Sequence, residues 1–459
     1  MKRKIIAIVC MTVCAALLLA GCAANRDEDQ TVSVTGAGSS NTATGAVNVS
    51  DEESSDTATD SVSVSGKGSS GSATGSVSAS NAASGSDLFS ERDLSAEYDD
   101  TVVNIELTGT GAKSSSDAVS VSGSVVTITG AGTYVISGEL TNGSIIVDAS
   151  KEDKVQLVLS GVTVNSETYA AIYVRQADKV FITLADSTKN TLTNGGSFVQ
   201  TDDNNVDAVI FSKDDITFNG TGSLKITSPG GHGIVGKDEV TIASGSYEIS
   251  ASEHAIRAND TLAIADGNFT LTATEDGLHA ENSDDETLGN IYIKGGSFTI
   301  KVNDDAVHAN AMLQIDGGTF NISAAEGLEA TYIKINGGKI TISASDDGIN
   351  AAKKSSAYTP TVEINGSEIT ITMGAGDTDG VDSNGNIIIT GGTVNVTGQS
   401  TFDYDGSAEF TGGTLIVNGQ QVDTIPNLMM GGGMGGMNGG FGGGGNMNGG
   451  FGGMGGGHR

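Results

Sequence analysis

Six short stretches of the sequence repeat one element: an acidic residue, a small residue, an aliphatic residue and a polar residue. They are Glu253-His254-Ala255-Ile256-Arg257, Glu275-Asp276-Gly277-Leu278-His279, Asp304-Asp305-Ala306-Val307-His308, Glu326-Gly327-Leu328-Glu329, Asp346-Asp347-Gly348-Ile349-Asn350 and Asp379-Gly380-Val381-Asp382. If the copies stack, Asp276, Asp305, Glu326 and Asp347 form a column about 4.8 Å apart. At an effective dielectric near 20, each ionised neighbouring pair then costs on the order of 3 kcal/mol. Such a column has three ways out: raised pKa values, side chains splayed into solvent, or bound cations. Asp276, Asp304, Asp305, Glu326, Asp346, Asp347 and Asp379 offer only oxygen ligands, which suits Ca2+ better than Zn2+. His279 and His308 are expected to stack, and two histidines alone are a weak Zn2+ signal. The bland alternative is that these Asp and Gly residues only form turns.

The elements that would position this column also repeat. An apolar residue is followed five positions later by another, as in Ile264/Phe269, Ile293/Phe298, Ile315/Phe320 and Ile335/Ile340. Gly-Gly stands between several of these pairs, for example Gly295-Gly296 and Gly317-Gly318. The base period is 20 to 22 residues with insertions, the size of one solenoid coil. Each coil reads as three short strands, with Phe320, Ile322, Leu328 and Ala330 pointing inward. The expected fold is all-β, a right-handed parallel β-helix over 101–427. Ala255, Gly277, Ala306, Gly327, Gly348 and Gly380 are expected to form the small-residue floor of an outward trough. An antiparallel sandwich competes, but it requires no constant coil length.

The remaining chain bounds the setting. Lys2, Arg3 and Lys4 precede the apolar run Ile5 to Ala20, which reads as an export signal rather than a membrane span. Leu19-Ala20-Gly21-Cys22 resembles the lipobox of bacterial lipoproteins, and that resemblance implies cleavage after residue 21 and lipidation of Cys22. Cys10 and Cys14 would leave with the signal, so no disulfide or thiolate metal site is expected. Residues 22–100 read as a flexible Ser/Gly/Thr-rich stalk containing a 30-residue duplication, and 428–459 as a disordered Gly/Met-rich tail. A net charge of −33 argues against nucleic acid as a partner and suits cation binding.

The Gly-Gly-x-Φ-x-Φ units (Φ apolar) followed by Asp-Gly-Φ or Glu-Gly-Φ resemble the bacterial surface proteins called carbohydrate-binding domain-containing proteins. These are right-handed parallel β-helices similar to pectate and other polysaccharide lyases. The resemblance spans roughly 101–427. It implies Ca2+ as cofactor and a polysaccharide partner, including cellulosic and acidic plant polymers. The chain has no Trp, a departure from the flat aromatic platform of cellulose binders that favours acidic glycans bridged by Ca2+. Arg257, His279, His308, Glu329, Asn350 and Asp382 are the expected sugar contacts. The expected function is non-catalytic polysaccharide binding at the extracellular face of the cell membrane. A Ca2+-dependent lyase and a structural adhesin are the alternatives. A lyase needs a basic residue at the sugar, and the trough offers Arg257, with Lys353 and Lys354 in the following loop.

Overall fold

The structure, a computed structural model, describes residues 88–98, 100–376 and 378–427. The chain divides into two units, 1–75 and 76–459, and every described residue lies in the second. The signal segment, Cys22, most of the stalk and the tail from 428 lie outside the described residues.

The described chain is a parallel β-helix. A coil such as Glu239–Ile242, Ser246–Ala251 and Ile256–Ala258 is followed by Thr261–Ile264, Asn268–Ala273 and Leu278–Ala280. Each strand pairs in parallel with its equivalent one coil on. The second strands alternate buried and exposed residues, as in Thr319–Ala324. Their inward residues fall in register, so Phe269 pairs with Phe298 and Phe298 with Phe320. Their rings stack at 4.6 and 4.5 Å between centroids, and Tyr247 extends the stack at 5.1 Å. The column continues as Ile340, Ile369, Val394 and Leu415. Antiparallel pairs occur near the two ends of the described solenoid: Val103–Gly109 with Ala112–Lys113, Val119–Ser122 with Val125–Ile128, and Thr414–Val417 with Gln420–Val422. Such short hairpins interrupt the open ladder that would otherwise recruit another chain.

The two glycines of the repeated turn do different work. Gly318 has φ +103, a region where L side chains are strained. Gly317 has an ordinary φ, but a Cβ there would stand 2.8 Å from the Lys294 carbonyl oxygen of the preceding coil. One glycine turns the chain and the other lets the coils close.

Two expectations need correction. Packed chain begins before residue 101, because residues 88–98 lie on the outer face of the first-strand sheet. Glu91–Leu94 is a single helical turn with a capping box between Ser90 and Asp93. Asp93 is buried, pairs with Lys179 Nζ at 2.8 Å and accepts a hydrogen bond from Thr217 Oγ1 at 2.6 Å. Arg92 lies over the Phe181 ring and donates to Gln156, while Phe89 packs against Tyr292. The polar composition that reads as stalk hides these anchors, which act through partners far along the chain. The second concerns the small residues of the third strand, which face the core and not an outward trough.

Asp93 makes the docking acid-sensitive. Burial opposes its charge, but hydrogen bonds from Lys179, Ser90 and Thr217 outweigh this and hold its pKa below the usual 3.8. A depressed carboxyl contributes stability above its unfolded pKa and loses it as pH falls through the folded one. Hydrogen exchange at residues 88–98 should therefore accelerate as pH drops below about 4, after correction for the intrinsic rate. Asp93→Ala should give fast exchange at neutral pH and cost about 1–3 kcal/mol, since Lys179 loses its partner. Unchanged protection in that variant would refute the anchoring role.

Candidate functional site

The third strand of each coil turns a tight corner. Gly233, Ala255, Gly277, Ala306, Gly327, Gly348 and Gly380 hold equivalent places there. The small residues face inward and do not form the outward floor expected from the sequence. Ala255 and Ala306 are fully buried in the core. A Cβ on Gly277 would come within 2.7 Å of Ile300 Cγ2, and one on Gly348 within 2.5 Å of Ile371 Cγ2. The space is taken by the aliphatic column of the second strand, so the corner admits only Gly or Ala.

With the small residue turned in, the residue before it faces out. The resulting row is His232, His254, Asp276, Asp305, Glu326, Asp347 and Asp379, with Asp305 directly paired to Glu326. Four of these side chains accept the backbone N–H of the next coil's row member. His232 Nδ1 accepts from His254 N–H at 3.1 Å, and His254 Nδ1 from Asp276 N–H at 3.1 Å. Asp276 Oδ1 accepts from Asp305 N–H at 2.9 Å, and Asp347 Oδ1 from Asp379 N–H at 2.9 Å. The row therefore requires acceptors for reasons of folding, whatever else it binds.

A second outward row stands three residues on: Arg257, His279, His308, Glu329, Asn350 and Asp382, in consecutive register. The two rows interlock. His279 Nδ1 lies 2.7 Å from Asp276 Oδ2. His308 Nδ1 lies 2.8 Å from Asp305 Oδ2 and 2.9 Å from Glu329 Oε2, and its Nε2 is 3.2 Å from Asn310 Oδ1. Lys354 Nζ reaches Glu329 Oε1 at 2.9 Å, and Asn350 Nδ2 donates to Glu326 Oε2 at 3.0 Å. Asp276, His279, Asp305, His308, Glu326, Glu329 and Lys354 line a cavity of 380 Å3 that also takes in His254, Glu275 and Asp304. Asp304 and Asp346 are exposed one position before the first row. Asp346, Asp347, Asp379, Asn350 and Asp382 are not among the cavity's lining residues.

Charge is unevenly settled across the cavity. Burial raises the pKa of Asp305 and overrides its bond to His308. Burial, then Glu329 and Asp305, push Glu326 up to about 8. Burial also disfavours charge on His308, but its bonds to Asp305 and Glu329 prevail and lift it to about 10. Glu329 is buried as well, and His308 and Lys354 nevertheless hold it well below the carboxylate range. Farther along, Asp382 is raised to about 7 by burial and by Asp347, Asp379 and Asp403.

Two kinds of ligand set arise, and geometry separates them. His254 and His279 stack with ring centroids 4.1 Å apart and planes 13° apart. Imidazole binds a metal in the plane of its ring, and nearly parallel planes at that spacing do not meet at one ion. His254 Nδ1 is moreover held by Asp276 N–H, which leaves its proton on Nε2. Burial, then the charge of His279, pushes His254 down to about 3, in keeping with a neutral ring. Asp305, Glu326 and Glu329 form the other set. Each offers a carboxylate oxygen, and these lie within 4.8 Å of one another. Ca2+ bonds of 2.3–2.6 Å span that separation. The donor chemistry fits Ca2+, which would bind through these three and offset the burial that disfavours charge on Asp305 and Glu326.

The structure thus gathers Asp276, Asp305, Glu326, His279, His308 and Glu329 around one cavity and leaves Asp346, Asp347, Asp379, Asn350 and Asp382 farther along the same face. Sequence reasoning missed His232, and it missed the place of His254 in the first row. Reading His232-Gly233-Ile234 against Asp276-Gly277-Leu278 without insisting on an acid would have found both. No helix among the described residues is long and apolar enough to cross a membrane.

Known proteins share parts of this sequence. A protein from Acetivibrio thermocellus named carbohydrate-binding domain-containing protein is 39% identical over 137 residues, which is 29% of this chain and 48% of that protein. The chain therefore spans about half the length of this curated relative. A solved structure described as the polysaccharide lyase-like protein from C. thermocellum, in a gadolinium derivative, is 32% identical, with a TM-score of 0.49 over 51% of this chain and 97% of that one. The family model for carbohydrate-binding domain-containing proteins matches residues 122–331 and again 326–424. The chain belongs to the carbohydrate-binding domain-containing protein family.

Proposed function

We propose that the protein binds acidic polysaccharide without cleaving it, using Ca2+ held by Asp305, Glu326 and Glu329. The observation that carries this reading is the convergence of those three carboxylates in an open cavity. Burial, with the neighbouring carboxylates, leaves two of them raised in pKa. An ion there would present positive charge to uronate carboxylates on a chain of net charge −33 that would otherwise repel them. The family assignment supports a carbohydrate ligand.

Binding is favoured over β-elimination because the cavity's two cationic bases, His308 and Lys354, are already paired with its carboxylates. His308 is bonded through both ring nitrogens, and Lys354 is paired with Glu329. His279 Nε2 is buried and lies 3.4 Å from Glu281 Oε2. A general base must reach the proton it abstracts. The test is a pull-down on a panel of insoluble polysaccharides with and without EDTA. Retention on acidic polymers in Ca2+, lost in EDTA, is expected. Retention independent of EDTA would sink the Ca2+ reading, and growth of unsaturated-uronate absorbance would establish the lyase instead.

The setting we propose is the extracellular face of the cell membrane, with a lipid on Cys22 as anchor. Cys22→Ala should move the protein from the membrane fraction to the soluble fraction after cell lysis. A variant that stays in the membrane fraction refutes the lipid anchor.

A further inference from the structure

The second outward row changes character along the solenoid. From its N-terminal side it reads Ile146, Tyr173, Phe211 and Val235, all buried, then Arg257, then the histidines and acids of the cavity. Lys237 stands two residues beyond Val235, on the same face, and is a diagonal neighbour of Arg257 one coil on. Both cations are only partly buried. No carboxylate lies within 4.0 Å of Lys237 Nζ among the described residues, and the Arg257 guanidinium meets one, Glu281, at that limit. Two other basic groups of this face are closely matched: Lys354 meets Glu329 at 2.9 Å and Arg175 meets Asp148 at 3.0 Å. Lys237 is held over the Phe211 ring at 5.6 Å, so the cation is positioned without a close ion pair. Its pKa is lowered, chiefly by burial and next by Arg257, while the nearby Asp207 carboxylate opposes the shift.

We propose that Lys237 and Arg257 form a carboxylate subsite for a uronic acid residue of the glycan, on the same face as the Ca2+ carboxylates and N-terminal to them along the solenoid. This rests on the proposed acidic polysaccharide and adds where and how it lies. Arg257 and Glu329 are three coils apart in the same row, about 14 Å at 4.8 Å per coil. A glycan held at both points runs along the solenoid axis. One carboxylate meets the cation pair and a later one meets the ion.

Calorimetric titration of the full chain with oligogalacturonates of increasing length, and with their methyl esters, tests this in Ca2+. Wild type should bind the acids, with affinity rising steeply once the oligomer spans both points. Lys237→Met with Arg257→Gln should weaken the long acid at least tenfold and leave the methyl ester and the Ca2+-induced melting shift unchanged. Lys237→Met alone keeps the stem over Phe211 and should show part of the same loss, which separates it from misfolding. Undiminished acid binding in the double variant overturns the subsite while leaving the Ca2+ reading intact. Equal loss of acid and ester also overturns it. No binding of acid by wild type overturns the acidic-polysaccharide reading, and the subsite with it.

Discussion

Phe320→Ala is expected to destabilise the solenoid by about 3–5 kcal/mol in chemical denaturation. Phe320 is 1% exposed, and its ring stacks on Phe298 at 4.5 Å with planes 4° apart. Above it in the column is Ile340, and a Cβ at Gly318 would stand 3.1 Å from the Phe320 ring, so the ring also fills the space beneath the turn. Truncation removes apolar burial and leaves a cavity that rigid coils on both sides cannot collapse. Solenoid stability is close to a sum over neighbouring coils, so a local gap of this size should also broaden or split the transition. Phe320→Leu should recover more than half of the loss. A change under about 1 kcal/mol for Phe320→Ala would mean that the column does not carry the fold.

That column was legible because burial on one side of a strand imposes period two, and coil length imposes period 20 to 22. Both are one-dimensional signals. The third strand was misread for the opposite reason. Its Gly and Ala positions look like an open floor, because small residues mark close approach without saying on which side. Only the position of Ile300 or Ile371 relative to the corner decides it. The acidic row was legible as a row, since stacking follows from the repeat. Its partners were not. The bonds of His308 to Asp305 and Glu329 depend on side-chain direction across two rows, which the repeat leaves open. The docking of Asp93 on Lys179 and Thr217 joins residues 86 and 124 positions apart and leaves no periodic trace.

Ca2+ should raise the melting temperature of the wild-type protein, and EDTA should reverse the shift. An ion that binds only the folded state stabilises it by RT ln(1 + [L]/Kd), about 2.7 kcal/mol at a hundredfold excess over Kd. The double variant Asp305→Asn, Glu326→Gln should lose most of that shift. It removes two of the three carboxylates within reach of one ion and keeps their shape and hydrogen-bonding oxygens. Asp347, which shares the row, is the matched control. It is not one of the three, and Asp347→Asn should leave the Ca2+ shift in place. In EDTA the double variant should be at least as stable as wild type at neutral pH. Burial and the surrounding carboxylates disfavour charge on Glu326 and Asp305, and the amides bear none. The amide oxygen that replaces the Asp305 carboxylate can still accept from His308, and that retained bond is why a general collapse of the cavity is not expected. The decisive comparison is the Ca2+ shift measured by calorimetry in the three proteins. An equal shift in wild type and the double variant would place the ion elsewhere and leave these carboxylates as partners of His308, Asn350 and Lys354. A shift lost in Asp347→Asn and kept in the double variant would move the site along the row, toward Asp379 and Asp382.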